Sequence, residues 1–199
     1  SPRGWATLQP RRPHRLVAPR GNPFEHASRS TTKSTRAVLT GVVLAGGTSR
    51  RMGQPKALLS HGGAPLIQAR IACLSEVVDR VAVLVGPHRD LLRPYCGGAR
   101  LLDDSGNGPA AALRGAMRQL GAPLLAIPVD MPNLSPDLLR AFLAAAGDGA
   151  VLGPHPNPFP ALLPSSFLQI EEQRLVRCVE VIQLPRIDLS DLGNFAPEQ

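Results

Sequence analysis

A pair of glycines followed by three cations is the part of this sequence best suited to chemistry. Gly46 and Gly47 follow a short apolar run, and Arg50, Arg51 and Lys56 come soon after them. Because glycine has no Cβ, its backbone N–H group can approach a ligand closely. N–H dipoles and cations together balance the negative charge of a triphosphate. The stretch therefore predicts a loop that binds a triphosphate.

Two common phosphate-binding loops do not match this spacing. No Gly-Lys-Ser/Thr follows the first glycine at the P-loop distance, and the loop lacks the Gly-x-Gly-x-x-Gly pattern of dinucleotide-binding folds. The alternative is an ordinary strand–loop–helix turn with Arg and Lys on the surface. A lone Gly-Gly pair would favour that alternative, whereas the whole stretch with its cations favours a ligand-binding loop.

A carboxylate at the end of another apolar run is the second candidate. Asp130 ends the run that begins at residue 123, and prolines lie on both sides of it. A carboxylate at the end of a buried strand faces the crevice of a parallel sheet, where it can hold Mg²⁺. The metal would offset the negative charge of a bound triphosphate. The alternative is an aspartate that caps the turn over residues 131–134.

Two further acids precede a predicted helix. Asp103 and Asp104 are followed by a loop that contains Gly106 and Gly108. The glycines let the backbone come close to a ligand, and the helix N-terminus favours negative groups. Two solvated acids in a surface turn are the alternative.

The elements that must position these residues are strands and helices in alternation. From residue 38 onward, apolar runs alternate with helical patterns, which predicts a three-layer α/β fold around a mostly parallel sheet. Ligands of such sheets bind outside the carboxyl ends of the strands, where the candidates above lie. We predict strands over residues 38–45, 81–85, 100–104, 123–130 and 150–153, and helices over residues 65–78, 109–120 and 138–146.

The last part of the domain has a weaker pattern. Residues 154–164 are rich in proline, which predicts a segment that crosses over the sheet. Residues 179–184 are apolar enough to predict an additional edge strand.

Residues 1–37 are predicted to lie outside the fold, which then occupies residues 38–199. They are rich in Pro, Ser and Arg without an apolar period, which predicts a disordered or loosely attached leader. Residues 1–40 hold eight of the 22 Lys and Arg side chains and one of the 15 acidic ones, so the net charge of +7 belongs to the leader. The remaining domain is neutral, and we expect no nucleic-acid binding through it.

Three interpretations of the leader stay open. It can be a targeting segment, an extension upstream of the true start, or a nucleic-acid-binding arm. We favour the extension. The chain begins at Ser1 rather than Met, which predicts a processed, tagged or partial product.

The cysteines, the histidines and the apolar runs give no sign of a disulfide framework, a metal site or a membrane span. Cys73, Cys96 and Cys178 are widely spaced without a Cys-x-x-Cys pair, which indicates reduced thiols in a cytoplasmic protein. The five histidines are scattered and give no metal-ligand spacing. No apolar run reaches the length needed to span a bilayer, so we expect no membrane association.

The stretch 44–59, LAGGTSRRMGQPKALL, resembles the signature loop of the nucleotidyltransferases built on a Rossmann-like sheet. Within them it is most similar to the molybdenum cofactor guanylyltransferases, the molybdopterin-guanine dinucleotide biosynthesis protein A family. The resemblance is strong over residues 41–66 and good over residues 101–140. The Asp-Met-Pro sequence at 130–132 resembles the magnesium motif of the family, and Asp104 aligns with one of its nucleotide-binding aspartates.

The resemblance implies an activity and the residues that carry it. The family transfers GMP from GTP to the terminal phosphate of the molybdenum–molybdopterin cofactor, with Mg²⁺ and with release of pyrophosphate. Lys56, Arg51 and Asp130 are the expected catalytic residues, and Asp130 is the expected metal ligand. GTP and molybdenum–molybdopterin are the expected partners, with molybdoenzymes or their chaperones as further ones. The expected nucleotide-binding residues are Leu44, Ala45, Gly46, Gly47, Lys56, Asp104 and Asp130.

Two places depart from the family's pattern. The family usually has a polar residue, often Asn, at the end of its second strand, where this chain has Leu84. After residue 155 the similarity is thin: residues 159–162 resemble the family's proline-rich return strand, and residues 194–198 only faintly resemble its terminal Asn-Thr-Pro-Glu.

Two alternatives to GMP transfer therefore stay open. One is a related CTP-dependent cytidylyltransferase, although Leu-Ala-Gly-Gly resembles the guanine users and the cytosine users more often carry Leu-Ala-Ala-Gly. The other is a degenerate relative that binds nucleotide or a molybdoenzyme without turnover.

Overall fold

The structure, a computed structural model, describes residues 38–47, 53–104, 107–131, 133–153 and 158–192. These residues contain nine strands and five α-helices. All of them lie within one of the two units into which the chain divides, Arg36–Gln199. The predicted leader lies outside the described residues, so its boundary at residue 37 stays a prediction. The strands are β1 (Thr40–Leu44), β2 (Ser60–His61), β3 (Ala64–Pro65), β4 (Arg80–Leu84), β5 (Arg100–Leu102), β6 (Leu124–Pro128), β7 (Ala150–Leu152), β8 (Ala161–Leu163) and β9 (Arg186–Ile187); the helices are α1 (Leu66–Ser75), α2 (Arg89–Leu92), α3 (Pro109–Leu120), α4 (Pro136–Ala145) and α5 (Leu175–Val181).

Seven of these strands form one sheet in the order β5-β4-β1-β6-β8-β7-β9, and β2 pairs with β3 in a separate hairpin. β1 is parallel to both β4 and β6, β4 is parallel to β5, and β7 is parallel to β9. Strand β8 runs antiparallel to its neighbours β6 and β7. The prediction of an α/β fold with a mostly parallel sheet is therefore confirmed.

Each face of the sheet carries its own hydrophobic core. Successive residues of a strand point to opposite faces, so Val43 packs in one core and Val42 in the other. Helices α1 and α4 cover the first face, with Ile67 and Phe142 fully buried. Helices α3 and α5 cover the second face, where Leu113 is fully buried. The helix–sheet–helix arrangement is the predicted three-layer architecture.

Helices α3 and α4 begin where the sequence places their usual start signals. Helix α3 starts at Pro109, whose missing N–H has no helical acceptor in the first turn, and it ends before Gly121. Ser135 caps α4, because its hydroxyl oxygen accepts a hydrogen bond from Leu138 N at 3.2 Å. Within the described residues no helix combines the length and the apolar character that crossing a membrane requires.

Two predictions for the last part of the domain were wrong. Residues 179–184 form no edge strand; instead, α5 buries Leu175, Cys178 and Val179, whose spacing of three and four residues is helical. The strand at this edge of the sheet is β9, and β5 lies at the other edge. Residues 154–157 lie outside the described residues, and β8 is an inner strand of the sheet where a crossover segment was expected. The neighbouring prolines do not interrupt the pairing of β8, because they lie outside its three residues.

The carboxyl ends of β1, β4, β5 and β6 meet at one edge of the sheet. The chain passes from β1 to β4 and β5 on one side and then to β6 on the other, so strand order reverses at β1. Backbone hydrogen bonds continue one residue beyond the strands: Ala45 N donates to Leu84 O at 2.9 Å, and Val129 N donates to Leu44 O at 3.1 Å. The crevice that such a reversal creates opens beyond these bonds.

Candidate active site

A cleft of about 530 Å³ lies at this edge of the sheet. The structure brings all seven residues of the predicted nucleotide-binding set together in the wall of this cleft: Leu44, Ala45, Gly46, Gly47, Lys56, Asp104 and Asp130. Lys56 and Asp130 are also predicted catalytic residues; the third, Arg51, lies outside the described residues.

Sequence reasoning missed part of the wall of the cleft. Gly86 and Pro87 line it, although neither was among the predicted site residues. The available signal was their position: they follow β4, which ends at the same edge as β1. Leu84, the residue that departs from the family's pattern, is 1% exposed and packs in the core on the α3 side. Phe159, the first residue of the stretch that resembles the family's return strand, also lines the cleft.

The backbones of Gly46 and Gly86 contact each other beside the cleft. A Cβ on Gly86 would lie 2.8 Å from Gly46 O, and the φ of Gly86 is +53°. A Cβ on Gly46 would lie 2.8 Å from Asp104 Oδ2 and 3.1 Å from Gly86 N. A Cβ on Gly47 would meet nothing within 4 Å. Close packing against backbone therefore requires glycine at 86. At 46 a Cβ would make the Asp104 side chain and the Gly86 backbone shift, whereas Gly47 has open space around it.

We expect Gly86→Ala to lower the free energy of unfolding by about 2–4 kcal/mol, because a left-handed backbone and an overpacked Cβ both cost free energy. Gly97→Ala is the matched control, since Gly97 has a φ of +54° but nothing within 4 Å of its Cβ position. In the control only the left-handed backbone costs free energy, so its loss of stability should be about 1–2 kcal/mol. Urea unfolding of both variants measures the difference, and equal losses would show that the Gly46–Gly86 contact is not tight.

Lys56 and Asp130 form an ion pair at the cleft. Lys56 Nζ lies 2.8 Å from Asp130 Oδ2, and the side chains are 46% and 47% exposed. At such exposure an ion pair contributes only about 0–1 kcal/mol to stability, so a phosphate group or a metal ion can displace either partner. The predicted phosphate-binding cation and the predicted metal-binding carboxylate therefore meet directly.

Buried neighbours fix the backbone that carries Lys56. Pro55 and Ala57 are buried on either side of it. The segment Lys56–Leu58 is a 3-10 helix, in which Leu58 N donates to Pro55 O at 3.0 Å. This short turn holds the backbone in place while the ammonium group reaches the cleft.

The two aspartates after β5 have different surroundings. Asp103 is 79% exposed at its side chain and accepts a hydrogen bond from Arg89 Nε at 2.8 Å. Asp104 lines the cleft beside Gly46. The structure therefore places one acid in a surface ion pair and the other in the wall of the cleft.

The acids at the cleft suit a metal that is shared with a ligand. Among the residues that the structure describes, no three His, Cys, Asp or Glu side chains are grouped so that they could hold a metal ion. Mg²⁺ commonly uses only one or two protein carboxylates and takes its other ligands from water and substrate phosphates. Asp130 is a half-exposed carboxylate in the cleft and fits that donor set.

The three cysteines lie apart from this chemistry. Cys73, Cys96 and Cys178 are buried free thiols, and none of the three lines the cleft. Burial raises the pKa of each thiol. They are therefore protonated at neutral pH and poor nucleophiles.

Comparison with known proteins finds relatives over this part of the chain. Residues 41–177 match the family model of the MobA-like NTP transferase domain. A probable molybdenum cofactor guanylyltransferase from Pelotomaculum thermopropionicum is 39% identical over 104 residues, which cover 51% of this chain and 49% of the relative. A molybdenum cofactor guanylyltransferase from Xanthomonas euvesicatoria pv. vesicatoria is 41% identical over 107 residues, 53% of each protein. The chain spans about half the length of the curated relatives that it matches.

The fold is also found in solved structures. The crystal structure of molybdopterin-guanine dinucleotide biosynthesis protein A from Archaeoglobus fulgidus has a TM-score of 0.59 and 20% identity, covering 78% of this chain and 86% of that one. At that identity the likeness shows the fold alone. The family match covers more than half of the chain and includes every described residue of the cleft wall. This chain therefore belongs to the MobA-like NTP transferase domain family.

Proposed function

We propose that this protein transfers GMP from GTP to the terminal phosphate of the molybdenum–molybdopterin cofactor, with release of pyrophosphate. The observation that carries the proposal is the meeting of Lys56 and Asp130 in a cleft that the Gly46–Gly47 backbone also lines. A cation, a carboxylate and glycine N–H groups together suit a metal-bound triphosphate. The guanylyltransferases among the relatives support GTP as donor and the molybdenum cofactor as acceptor.

The glycine loop would hold the nucleotide mainly through its backbone. Leu44 and Ala45 lie where β1 ends, so their backbone groups would contact the base. Gly46 and Gly47 would place N–H groups against the phosphates, because no side chain stands between backbone and ligand. Asp104, next to Gly46 in the cleft wall, would contact the nucleoside.

Lys56 and Asp130 would divide the charged part of the reaction between them. Asp130 would hold a divalent metal, which we propose is Mg²⁺; when bound, the metal offsets charge on the α-phosphate and on the leaving pyrophosphate. Lys56 would leave its ion pair and donate to phosphate oxygens, where negative charge grows in the transition state. The acceptor phosphate attacks in line, so catalysis consists of positioning and charge compensation without a covalent enzyme intermediate.

A second cavity of about 540 Å³ adjoins the nucleotide cleft and would receive the acceptor. It shares Pro109 and Phe159 with the cleft. Arg174 contributes to its wall, as do Arg177 and Glu180, which form an ion pair at 2.7 Å. Guanidinium groups bind phosphate through paired donors. The acceptor phosphate would therefore enter from the α5 side and reach the α-phosphate of GTP beside Phe159.

The direct test is incubation of the purified chain with Mg²⁺, GTP and molybdenum–molybdopterin. We expect the guanine dinucleotide and one pyrophosphate for each transfer, with no product when either the metal or the pterin is left out. A folded protein that neither binds GTP nor forms the dinucleotide would refute the proposal. GTP binding without pyrophosphate release would instead identify a non-catalytic relative.

The same experiment with CTP tests the cytidylyl alternative. An alanine at position 46, as in the Leu-Ala-Ala-Gly of cytosine users, would place its Cβ 2.8 Å from Asp104 Oδ2. Because this chain carries the glycine of the guanine users at position 46, we expect GTP to raise Tm more than CTP does. A ligand at 100 times its Kd adds about 2.7 kcal/mol of stability, which a thermal-shift assay resolves. A larger shift with CTP would favour cytidylyl transfer.

Two further assignments belong to this proposal. Molybdoenzymes or their chaperones would receive the finished dinucleotide cofactor. The cytoplasm is the proposed location, because free buried thiols suit a reducing compartment.

A further inference from the structure

A buried arginine on α1 holds the turn that follows Asp130. Arg70 is 3% exposed, and its Nη1 donates to Met131 O at 2.5 Å and to Leu134 O at 3.2 Å. Burying a guanidinium removes its hydration, so the side chain costs free energy unless hydrogen bonds replace the lost water. Burial lowers the pKa of Arg70, but an arginine stays charged in a protein. A buried charge is thus committed to two carbonyls of one turn.

This turn sets where Asp130 lies. On its N-terminal side Val129 N donates to Leu44 O at 3.1 Å, which fixes the chain to β1. On its C-terminal side Ser135 caps α4. Arg70 bonds to the carbonyl of Met131, directly after Asp130, and to the carbonyl of Leu134, directly before the cap. The position of the Asp130 carboxylate therefore depends on α1 as well as on β6.

The same helix also fixes the segment that carries Lys56. Leu66, the first residue of α1, donates its N–H to Leu59 O at 2.9 Å, and Leu59 N donates to Lys56 O at 3.0 Å. One end of α1 is thus bonded to the Lys56 segment and the next turn to the Asp130 turn. Helix α1 therefore sets the distance between the backbone segments that carry Lys56 and Asp130.

We propose that Arg70 is a positioning residue that fixes the Asp130 carboxylate at the distance from Lys56 that metal and triphosphate binding require. The proposal rests on the proposed function, since it takes Asp130 as a metal ligand. Arg70 is not among the residues that line the cleft, so it acts through the backbone of the turn. Loss of this clamp should loosen the turn and weaken metal binding without removing any group that touches the metal.

The test compares Arg70→Met with a matched control, Arg114→Met. Arg114 is also a buried arginine, 8% exposed; its Nη1 donates to Glu172 O at 2.9 Å, and it lies on α3. We expect Arg70→Met to weaken Mn²⁺ binding in the presence of GTP by about tenfold, the usual effect of losing an outer-shell support. Paramagnetic resonance of free Mn²⁺ measures this affinity. Arg114→Met should keep the affinity of the unaltered protein, and Arg70→Lys should fall between the two.

A readout without metal separates this proposal from the proposed function. In the ligand-free protein, peptides that contain Leu134 should exchange amide hydrogens about tenfold faster in Arg70→Met than in Arg114→Met. If the unaltered protein binds no Mn²⁺ with GTP, the proposed function fails while the exchange result still tests the clamp. Equal Mn²⁺ affinities, or equal exchange, in the two variants would overturn the positioning role. Should Arg70→Met not fold, Arg70→Lys against Arg114→Lys makes the same comparison.

Discussion

Asp130→Ala is expected to lower metal-dependent nucleotidyl transfer by about a thousandfold, because a bound metal supplies several kcal/mol of transition-state stabilisation and each 1.4 kcal/mol is tenfold in rate. Its affinity for Mn²⁺ in the presence of GTP should fall with the rate. Steady-state rates measured against metal concentration give both quantities. The variant removes the carboxylate whose Oδ2 lies 2.8 Å from Lys56 Nζ in the cleft.

The fold should survive this change. Asp130 is half exposed, and its ion pair with Lys56 contributes only about 0–1 kcal/mol at such exposure. We therefore expect Tm of Asp130→Ala to stay close to that of the unaltered protein. A lost rate with an unchanged Tm separates a chemical effect from unfolding.

Asp103→Ala is the matched control for Asp130→Ala. Asp103 is likewise an ion-paired aspartate just beyond a strand of the sheet, but its partner is Arg89 and its side chain is 79% exposed. Transfer by Asp103→Ala should stay within about threefold of normal, as is usual for a surface substitution away from the chemistry. Near-normal transfer by Asp130→Ala, or an equal loss in Asp103→Ala, would show that the metal is held elsewhere.

Much of the candidate site could be predicted from the sequence because one topological rule places its parts. Gly46, Asp104 and Asp130 each lie at or directly after the carboxyl end of a predicted strand, and parallel strands end at the same edge of a sheet. Those three residues therefore converge although they are far apart along the chain. The strands themselves were predictable because each is an apolar run between turn signals.

The parts that could not be predicted depend on packing at the level of single atoms. No periodicity indicates that Lys56 Nζ reaches Asp130 Oδ2 across 74 residues, or that Gly86 must be glycine because Gly46 O lies 2.8 Å from where its Cβ would be. Arg70 resembles any arginine on a helix until its buried hydrogen bonds to the 131–134 turn are seen. The strand predicted over residues 179–184 failed because a short apolar run does not distinguish a strand from a buried helix.

Lys56→Met is expected to lower kcat by about 100- to 1,000-fold, the usual cost of removing one donor aimed at developing charge. Its effect on the metal should have the opposite sign to that of Asp130→Ala. The ammonium group lies 2.8 Å from Asp130 Oδ2, so its removal takes a competing cation away from that carboxylate. Mn²⁺ affinity without nucleotide should therefore be equal to or higher than that of the unaltered protein, as titration of free Mn²⁺ measures.

Arg89→Met is the matched control for Lys56→Met, because it removes a cation that pairs with an aspartate outside the cleft wall. It should change neither kcat nor Mn²⁺ affinity. The two readouts together distinguish a phosphate-binding lysine from one that only orders Asp130. If Lys56 only ordered the carboxylate, Lys56→Met would lose metal affinity and rate in parallel. A lost rate with retained metal affinity requires that the ammonium group act on the phosphates themselves.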